Sequence, residues 1–367
     1  MALVPPVAIR QPGAMLSLEL RRDVGPSAPD QFNSPFRVPW IQQARSTLVR
    51  WVPRAALGMV TFGVALAGAG ALYEALASSQ DAANYPPPGR MVDVGGYQVH
   101  VLCMGQGNPT VLLDAWAGGW STEWAPVQAI VARTHRVCAW DRAGSGWSDI
   151  GTHDHTPHAY ATEMTAVLHA ADIQGPYVLV AASYAGRVAR LYASEHPEQV
   201  FGVVFVDAVH EDAHPAQDSA DQEQQRRVLG VGNWVLSRLG VARLLGPRLV
   251  PLIDGPVGYT QPEATRELIA LVSTRPKNLD GNARLSAQHQ ADDARLRAAG
   301  TLGDRPLVVL SATQTTSASA SWSDGQRKLA DLSSNSAHIL AEGSHLIAWE
   351  HPDLVVSAIE RVVGRGI

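Results

Sequence analysis

The serine with the most chemically suggestive setting is Ser183. Tyr177 to Ala181 is a short, apolar, strand-like run, and Arg187 to Glu195 reads as a helix; between them lie Ala182, Ser183, Tyr184, Ala185 and Gly186, small residues but for the tyrosine. A serine at such a strand-to-helix turn is held on a tight, strained corner with its hydroxyl lifted above the sheet, and the helix N-terminus behind it favours negative charge nearby. That setting suits nucleophilic attack. The glycines usual on either side of such a serine are replaced here, the segment reading Ala181, Ala182, Ser183, Tyr184, Ala185. The added methyl groups are tolerable, but they tighten the approach of helix to strand.

Other chemistries are disfavoured. Cys103 and Cys138 are the only cysteines and show no C-x-x-C spacing, so neither a zinc site nor a disulfide-rich scaffold fits. There is no metal cluster and no phosphate-cradling loop, and no cofactor is expected. A net charge of -5, with 17% charged and 46% hydrophobic residues, describes a globular chain without the field that gathers nucleic acid.

The elements that must position Ser183 follow from the hydrophobic pattern. The 367 residues suit one catalytic domain with appendages. Met91 to Val94 and Tyr97 to Cys103 predict an antiparallel pair turned at Gly95 and Gly96. Short apolar runs at Thr110 to Leu113, Arg136 to Trp140, Tyr177 to Ala181, Val200 to Val206 and Pro306 to Leu310 predict strands covered on both faces. Helical patterns between them, such as Pro157 to Ala171, predict a mostly parallel sheet. Only helical signals fill the interval 211–300, including Gln222 to Leu245 and a helix from Pro262 to Val272 capped by Thr260, so an inserted helical cap is expected there.

The N-terminal region has a different character. Residues 1–54, rich in proline, are expected to form a flexible tail. Ala55 to Tyr73 gives about 19 uncharged residues, enough at 1.5 Å per residue to approach the ~30 Å of a bilayer core. Arg45, Arg50 and Arg54 precede this run while Glu74 and Asp81 follow it, which places the short N-terminal side in the cytoplasm and the rest outside. The expectation is an uncleaved anchor over 55–77, a linker over 78–90, core over 91–210 and 301–367, and the cap between. A cleaved signal segment processed after Ala75, Leu76 and Ala77 is the alternative; both deliver the domain to the extracytoplasmic side.

With these pieces in place, the sequence resembles the α/β-hydrolase superfamily, and within it bacterial membrane-anchored serine hydrolases of the esterase, lipase and aminopeptidase-like group. The resemblance covers about Pro86 to Val363. It rests on Thr110 to Trp120, Ala139 to Ser148, the Ser183 turn, Val203 to Ala208 and Ala341 to Leu346. It implies an α/β fold with a mostly parallel eight-stranded sheet flanked by helices, a catalytic triad, and hydrolysis of a small-molecule ester without cofactor. Ser183 then takes the nucleophile's place. Of 13 histidines, His345 has the setting of the family's general base, and His210 that of a supporting residue. The loop after the Thr110 strand corresponds to the oxyanion-hole loop, which assigns the hole to the N–H groups of Ala117 and Tyr184, although Trp116 stands where the family usually has glycine. No carboxylate follows the strand ending at Leu310, where many relatives hold the acid. Asp207, at the end of the preceding strand, is the preferred acid and Asp324 the alternative, while Asp141 and Arg142 read as turn and salt-bridge residues.

Amide, lactone or peptide cleavage on the same triad stays open, as does a non-catalytic membrane-tethered binding protein. Epoxide hydrolase and dehalogenase chemistry would need an aspartate at 183. The family's strand order also sets the strand of Cys103 beside that of Cys138, which allows a disulfide if the two share a register; two buried thiols are the alternative.

Overall fold

Apolar runs too short for helices and too continuous for one-sided strands build the centre of this protein. The computed structural model describes residues 39–213, 230–246 and 263–364. The chain divides into two units at Thr61 and Phe62, and the described part of the first is helical. Helix α1 spans Pro39–Asn84. In the second unit an eight-stranded sheet has the order β1-β2-β4-β3-β5-β6-β7-β8. Its strands are β1 Arg90–Asp93, β2 Gln98–Met104, β3 Thr110–Asp114, β4 Val137–Trp140, β5 Tyr177–Ala182, β6 Val200–Val206, β7 Leu307–Ala312 and β8 Ser336–Ala341. The pairings of β2 with β1 and with β4 are antiparallel and the other five are parallel. The expected fold class is the observed one.

The β1–β2 turn needs Gly95 and Gly96 for a specific reason. Both have positive φ, 106° and 99°, and their N–H groups donate to Asp93 Oδ1 at 2.8 and 2.9 Å. In the sheet interior every residue of β3, β4 and β5 is buried. Alternate residues feed two cores. Leu112, Leu179 and Phe205 pack with Met164, Val188 and Tyr192 from α3 (Pro157–Ala170) and α4 (Ala185–Glu195). On the opposite face, Val111, Val180 and Leu310 pack with Val127 from α2 (Ala125–Val131) and with Val355 and Ile359 from the C-terminal helix Pro352–Gly364. Covering both faces is what allows a parallel sheet without alternating polar residues.

Between β6 and β7 the described residues are helical: α5 (230–238), α6 (241–246), α7 Glu263–Ser273, α8 Pro276–Gln288 and α9 Asp293–Ala298. Thr260, Pro262 and the first part of the Gln222 to Leu245 stretch lie outside the described residues. After β7 come α10 Thr313–Ala318 and α11 Ala320–Ala330, then β8, α12 Ile347–Glu350 and α13, the C-terminal helix.

The N-terminal expectations need correction. Residues 39–54, read as tail, are helical, and so are residues 78–84, read as linker. No proline or glycine interrupts Ser78 to Asn84, so the helix runs until Pro86 forbids it. The signal-processing alternative at Ala75 to Ala77 therefore falls inside continuous helix, where Ser78 Oγ donates to Glu74 Oε1 at 2.8 Å. The helix Trp51–Asn84 is long and apolar enough to cross a membrane, with a mean hydropathy of 1.8 over its most apolar window.

Cys103 and Cys138 are direct register partners on β2 and β4 and are joined as a disulfide. Thiol titration of the denatured, unreduced chain should find no free thiol. Opening this cross-link across 35 residues should lower stability by about 3–4 kcal/mol, read from chemical denaturation with and without reductant.

Candidate active site

Ser183 follows the last residue of β5 and has φ 53°, a region that a non-glycine residue enters only under constraint. Its backbone supplies that constraint. Ser183 N donates to Val206 O at 3.0 Å, and Ser183 O accepts from Val209 N at 2.9 Å and Gly186 N at 3.1 Å. The close approach expected to demand glycine beside the serine falls instead at Gly186, where an added Cβ would stand 2.6 Å from Ala208 Cβ. Ala181 and Ala185 are fully buried without needing that space.

Three of the residues singled out from the sequence meet here. His345 Nε2 lies 2.8 Å from Ser183 Oγ, and His345 Nδ1 lies 2.6 Å from Asp207 Oδ2. The register explains why Ser183 and Asp207 stand together. Ala182 pairs with Val206 across β5 and β6, so Ser183 and Asp207 are the next residues off the ends of two adjacent parallel strands. Asp207 also has positive φ, 44°, and is fully buried. Its remaining acceptor capacity is filled by Trp322 Nε1 at 2.9 Å, Thr315 Oγ1 at 2.8 Å and Ala312 N at 3.2 Å. The Trp322 ring stands edge-on to the His345 imidazole, 5.5 Å between centroids.

Asp324, the alternative acid, is not brought to this site. It is exposed, at 57% of its side chain, and pairs with Arg327 one turn along α11. His210 is also elsewhere in function: its Nδ1 accepts from Asp212 N at 3.1 Å and lies 3.4 Å from Glu211, so its partners are acidic neighbours and not the relay. Thr315 and Trp322 were not singled out from the sequence. The signal was nonetheless present, because the run from Ser311 to Ser319 that lacks a carboxylate is rich in hydroxyl donors. Ser319 accepts from Trp322 N at 3.2 Å, capping α11 at the turn that carries this tryptophan.

The loop after β3 turns at Gly118, φ 74°, where a Cβ would lie 3.0 Å from Asn282. Left-handed backbone is thus required at 118 and not at Trp116. Trp116 O accepts from Gly119 N at 3.0 Å and from Arg142 at 2.5 Å, and its ring packs against Trp349 at 5.2 Å. Among the described residues neither Ala117 N nor Tyr184 N donates to a backbone carbonyl. Ala117, Gly118 and His345 line a cavity of about 680 Å³. Leu236, Leu245 and Ile269 from the helices between β6 and β7 line the other side. The described residues contain no group of three His, Cys, Asp or Glu side chains able to hold a metal ion.

A family model described as the α/β-hydrolase fold matches residues 108–352. The chain belongs to the α/β-hydrolase family. It is 30% identical over 244 residues to an uncharacterized protein of Schizosaccharomyces pombe, covering 63% of this chain and 42% of that one. With the uncharacterized protein YqjL of Bacillus subtilis it shares 29% over 103 residues, 28% of this chain and 41% of the relative. The chain thus spans less than half the length of these relatives. Similar solved structures include the epoxide hydrolase CorEH (TM-score 0.58, 16% identity, 75% of this chain and 98% of that one). A thermophilic esterase from Thermogutta terrifontis gives 0.55 and 20%, covering 75% and 98%. The enol-lactonase from Burkholderia xenovorans LB400 gives 0.55 and 18%, covering 75% and 100%. At these identities the likeness is one of fold.

In this α/β-hydrolase the loop beside the serine is tied down by a buried cation. Arg142 pairs with Asp114 and donates to Ala115 O at 2.8 Å as well as to Trp116 O. Its guanidinium also faces the rings of Tyr160 and Tyr184 at 5.6 and 5.5 Å. Burial pushes the Asp114 carboxyl up to about 6, while Arg142 pulls it back toward ionisation. Asp141 is comparably committed, accepting from Ser121 N at 2.7 Å and Trp147 N at 2.9 Å and facing His100 Nδ1 at 3.0 Å. The turn and salt-bridge residues of the sequence are the braces of the loop. Arg142→Met leaves Asp114 buried without its cation and should cost about 3–5 kcal/mol in a urea melt, with Arg142→Lys recovering little because an ammonium cannot span carboxylate and carbonyls together.

His155 lies behind Tyr184. Its Nδ1 lies 2.6 Å from the Tyr160 hydroxyl, which in turn lies 3.1 Å from Ala143 O, and the residue is 1% exposed. Burial, reinforced by His153 and Arg284, lowers its pKa to about 4. The unfolded chain then binds more protons than the folded one between pH 4 and the ordinary imidazole value of 6.5, so this contribution is complete above 6.5 and lost as pH falls toward 4. Denaturation midpoints between pH 7 and 4.5 should fall more steeply for the unsubstituted chain than for His155→Gln.

Proposed function

We propose that this α/β-hydrolase is a serine esterase anchored to a membrane by its N-terminal helix, with the catalytic domain on the extracytoplasmic side. The observation that carries the chemical reading is the hydrogen-bonded chain from Ser183 Oγ through His345 to the buried Asp207 carboxylate, opening onto a cavity with apolar walls. Ser183 Oγ attacks the ester carbonyl while His345 Nε2 takes its proton. Asp207 fixes the imidazole with Nδ1–H toward itself and stabilises the imidazolium. The N–H groups of Ala117 and Tyr184 receive the developing oxyanion. Collapse of the tetrahedral intermediate returns the proton from His345 to the departing alkoxide. Water, deprotonated by the same nitrogen, then releases the acid and restores Ser183.

Trp322 donates to Asp207 Oδ1, the oxygen that His345 does not face, and Thr315 donates to both carboxylate oxygens, which limits rotation of Asp207 without placing either group on the substrate. The fold neighbours include an epoxide hydrolase and an ancestral haloalkane dehalogenase. A hydroxyl in place of a carboxylate at 183 favours acyl transfer over those alkyl displacements. The membrane half of the reading is supported by the apolar helix Trp51–Asn84, by the arginines that precede its apolar part, and by a disulfide, which persists in oxidising compartments.

A fluorophosphonate probe should label the full chain at Ser183, and Ser183→Ala should abolish the label; unlabelled native chain would remove the mechanism. Ser183→Ala and His345→Ala should each lower kcat for a short-chain nitrophenyl ester by roughly 10⁴–10⁶ with little change in folding. Asp207→Asn should be far more damaging than Asp324→Asn, measured on the same ester, and the reverse order would dismiss Asp207 as the acid.

A further inference from the structure

The end of α1 is built into the cap. Arg243, on α6, donates to both carboxylate oxygens of Glu74 at 2.8 and 2.9 Å, to Asp81 Oδ2 at 2.5 Å and to Ser78 Oγ at 3.2 Å. Glu74 and Asp81 are buried and the Arg243 side chain is 10% exposed, and Arg275 approaches Asp81 at 4.0 Å. The backbones cross closely beside this cluster. A Cβ on Gly70 would lie 2.6 Å from Leu239 O, and a Cβ on Gly240, φ 71°, would lie 2.6 Å from the Tyr73 ring. The break between α5 and α6 is therefore seated on α1 at residues 70–73.

That level on α1 is informative. The uncharged run from Ala55 ends at Tyr73, and at 1.5 Å per residue it measures about 28 Å, close to a bilayer core. Glu74, Ser78 and Asp81 then occupy the next two turns, where a membrane gives way to water. The cap helices cross α1 at this boundary, and apart from Asn233 their most exposed side chains are apolar. Val231, Trp234 and Leu244 are 66%, 51% and 61% exposed, alongside the exposed Phe62, Leu66 and Leu72 of α1. Leu236 and Leu245, also exposed, line the cavity above Ser183's partner His345. Exposed apolar side chains on helices seated at the polar end of a helix of membrane-crossing length, with the Arg238 guanidinium over the Trp234 ring at 4.3 Å, have the make-up of an interfacial segment.

We propose that α5 and α6 lie in the headgroup region of the bilayer, held there by Arg243, so that the cavity takes its ester from the membrane and not from water. The occupant of this face is lipid, and the substrate class is an ester whose acyl or alcohol part partitions into a bilayer. This rests on the esterase and anchor readings given above, and deepens both.

The test uses the full chain in phosphatidylcholine vesicles. Nitroxide labels at Val231→Cys and Leu244→Cys should collide more with oxygen than with a water-soluble nickel complex. Dominance of nickel at both sites would overturn the proposal, and so would shielding from both reagents, which would mean a protein covers the face. As a second readout, the double variant Val231→Asp and Leu244→Asp should lose about tenfold or more in hydrolysis of a long-chain ester embedded in vesicles, because charge is expelled from the interface, while a short water-soluble ester is hydrolysed as before. Equal activities on the embedded ester would overturn the substrate class. Failure of the unsubstituted chain to cleave either ester would overturn the esterase reading instead, and the labels would still decide where the cap lies.

Discussion

A left-handed backbone at a residue that is not glycine costs on the order of 1–3 kcal/mol, and Ser183 and Asp207 both pay it, on neighbouring strands. The sheet around them is what makes this conformation the only one available. β5 and β6 are parallel, in register from Val178 to Ala182, and buried on both faces. Their two off-going residues therefore emerge side by side at the same edge. Ser183 N is tied to the end of β6, and Asp207 N is tied in turn to Leu310 O on β7 at 2.7 Å. Each strained residue is thus locked by the next strand over. Gly186 lets α4 close against Ala208, which completes the clamp from below.

Burying carboxylates near the centre of the sheet would be unfavourable without donors, and here the donors come from distant parts of the chain. Asp207 gathers groups from Ala312, Thr315, Trp322 and His345. Asp114 is held by Arg142, whose other hydrogen bonds fix two carbonyls in the loop carrying Ala117. Satisfying the buried charge and shaping the loop are one arrangement. A change at Arg142 would therefore act on stability and on the geometry beside Ser183 together, and the two effects would have to be separated by measuring folding and turnover on the same variant.

The segment between β6 and β7 plays a different part from the sheet. Its helices contribute one wall of the cavity, and α6 binds the last turns of α1 through a single arginine that meets two carboxylates and a hydroxyl. Glu74 and Asp81, which in the sequence serve only as the acidic flank of an apolar run, are consumed in that contact. An arginine suits it because a planar fork can engage one carboxylate through two nitrogens and still reach a second.

The sequence alone was enough for the fold class, because apolar runs of four to seven residues alternating with helical periods admit few architectures besides a parallel sheet covered on both faces. It also singled out Ser183 from its place between a strand and a helix, while His345 and Asp207 came from the resemblance to the α/β-hydrolase superfamily, whose motifs they match in chain order. Which of Asp207 and Asp324 meets the histidine needed tertiary structure, because strand register sets Asp207 beside Ser183, the loop after β8 brings His345 to it, and Asp324 is left in solvent beside Arg327. The run of hydroxyl residues after β7 was visible in the sequence, but that Thr315 and Trp322 serve Asp207 was not: a donor more than a hundred residues from its acceptor leaves no trace of the pairing in local spacing. The pairing of Cys103 with Cys138 likewise depended on register, which a shift of one residue would have undone. The length of α1 was misjudged because polar composition after Tyr73 suggested a linker, whereas a helix is ended by proline or by the loss of its hydrogen bonds, and the buried partners that keep Glu74 and Asp81 helical arrive from Arg243, far along the chain.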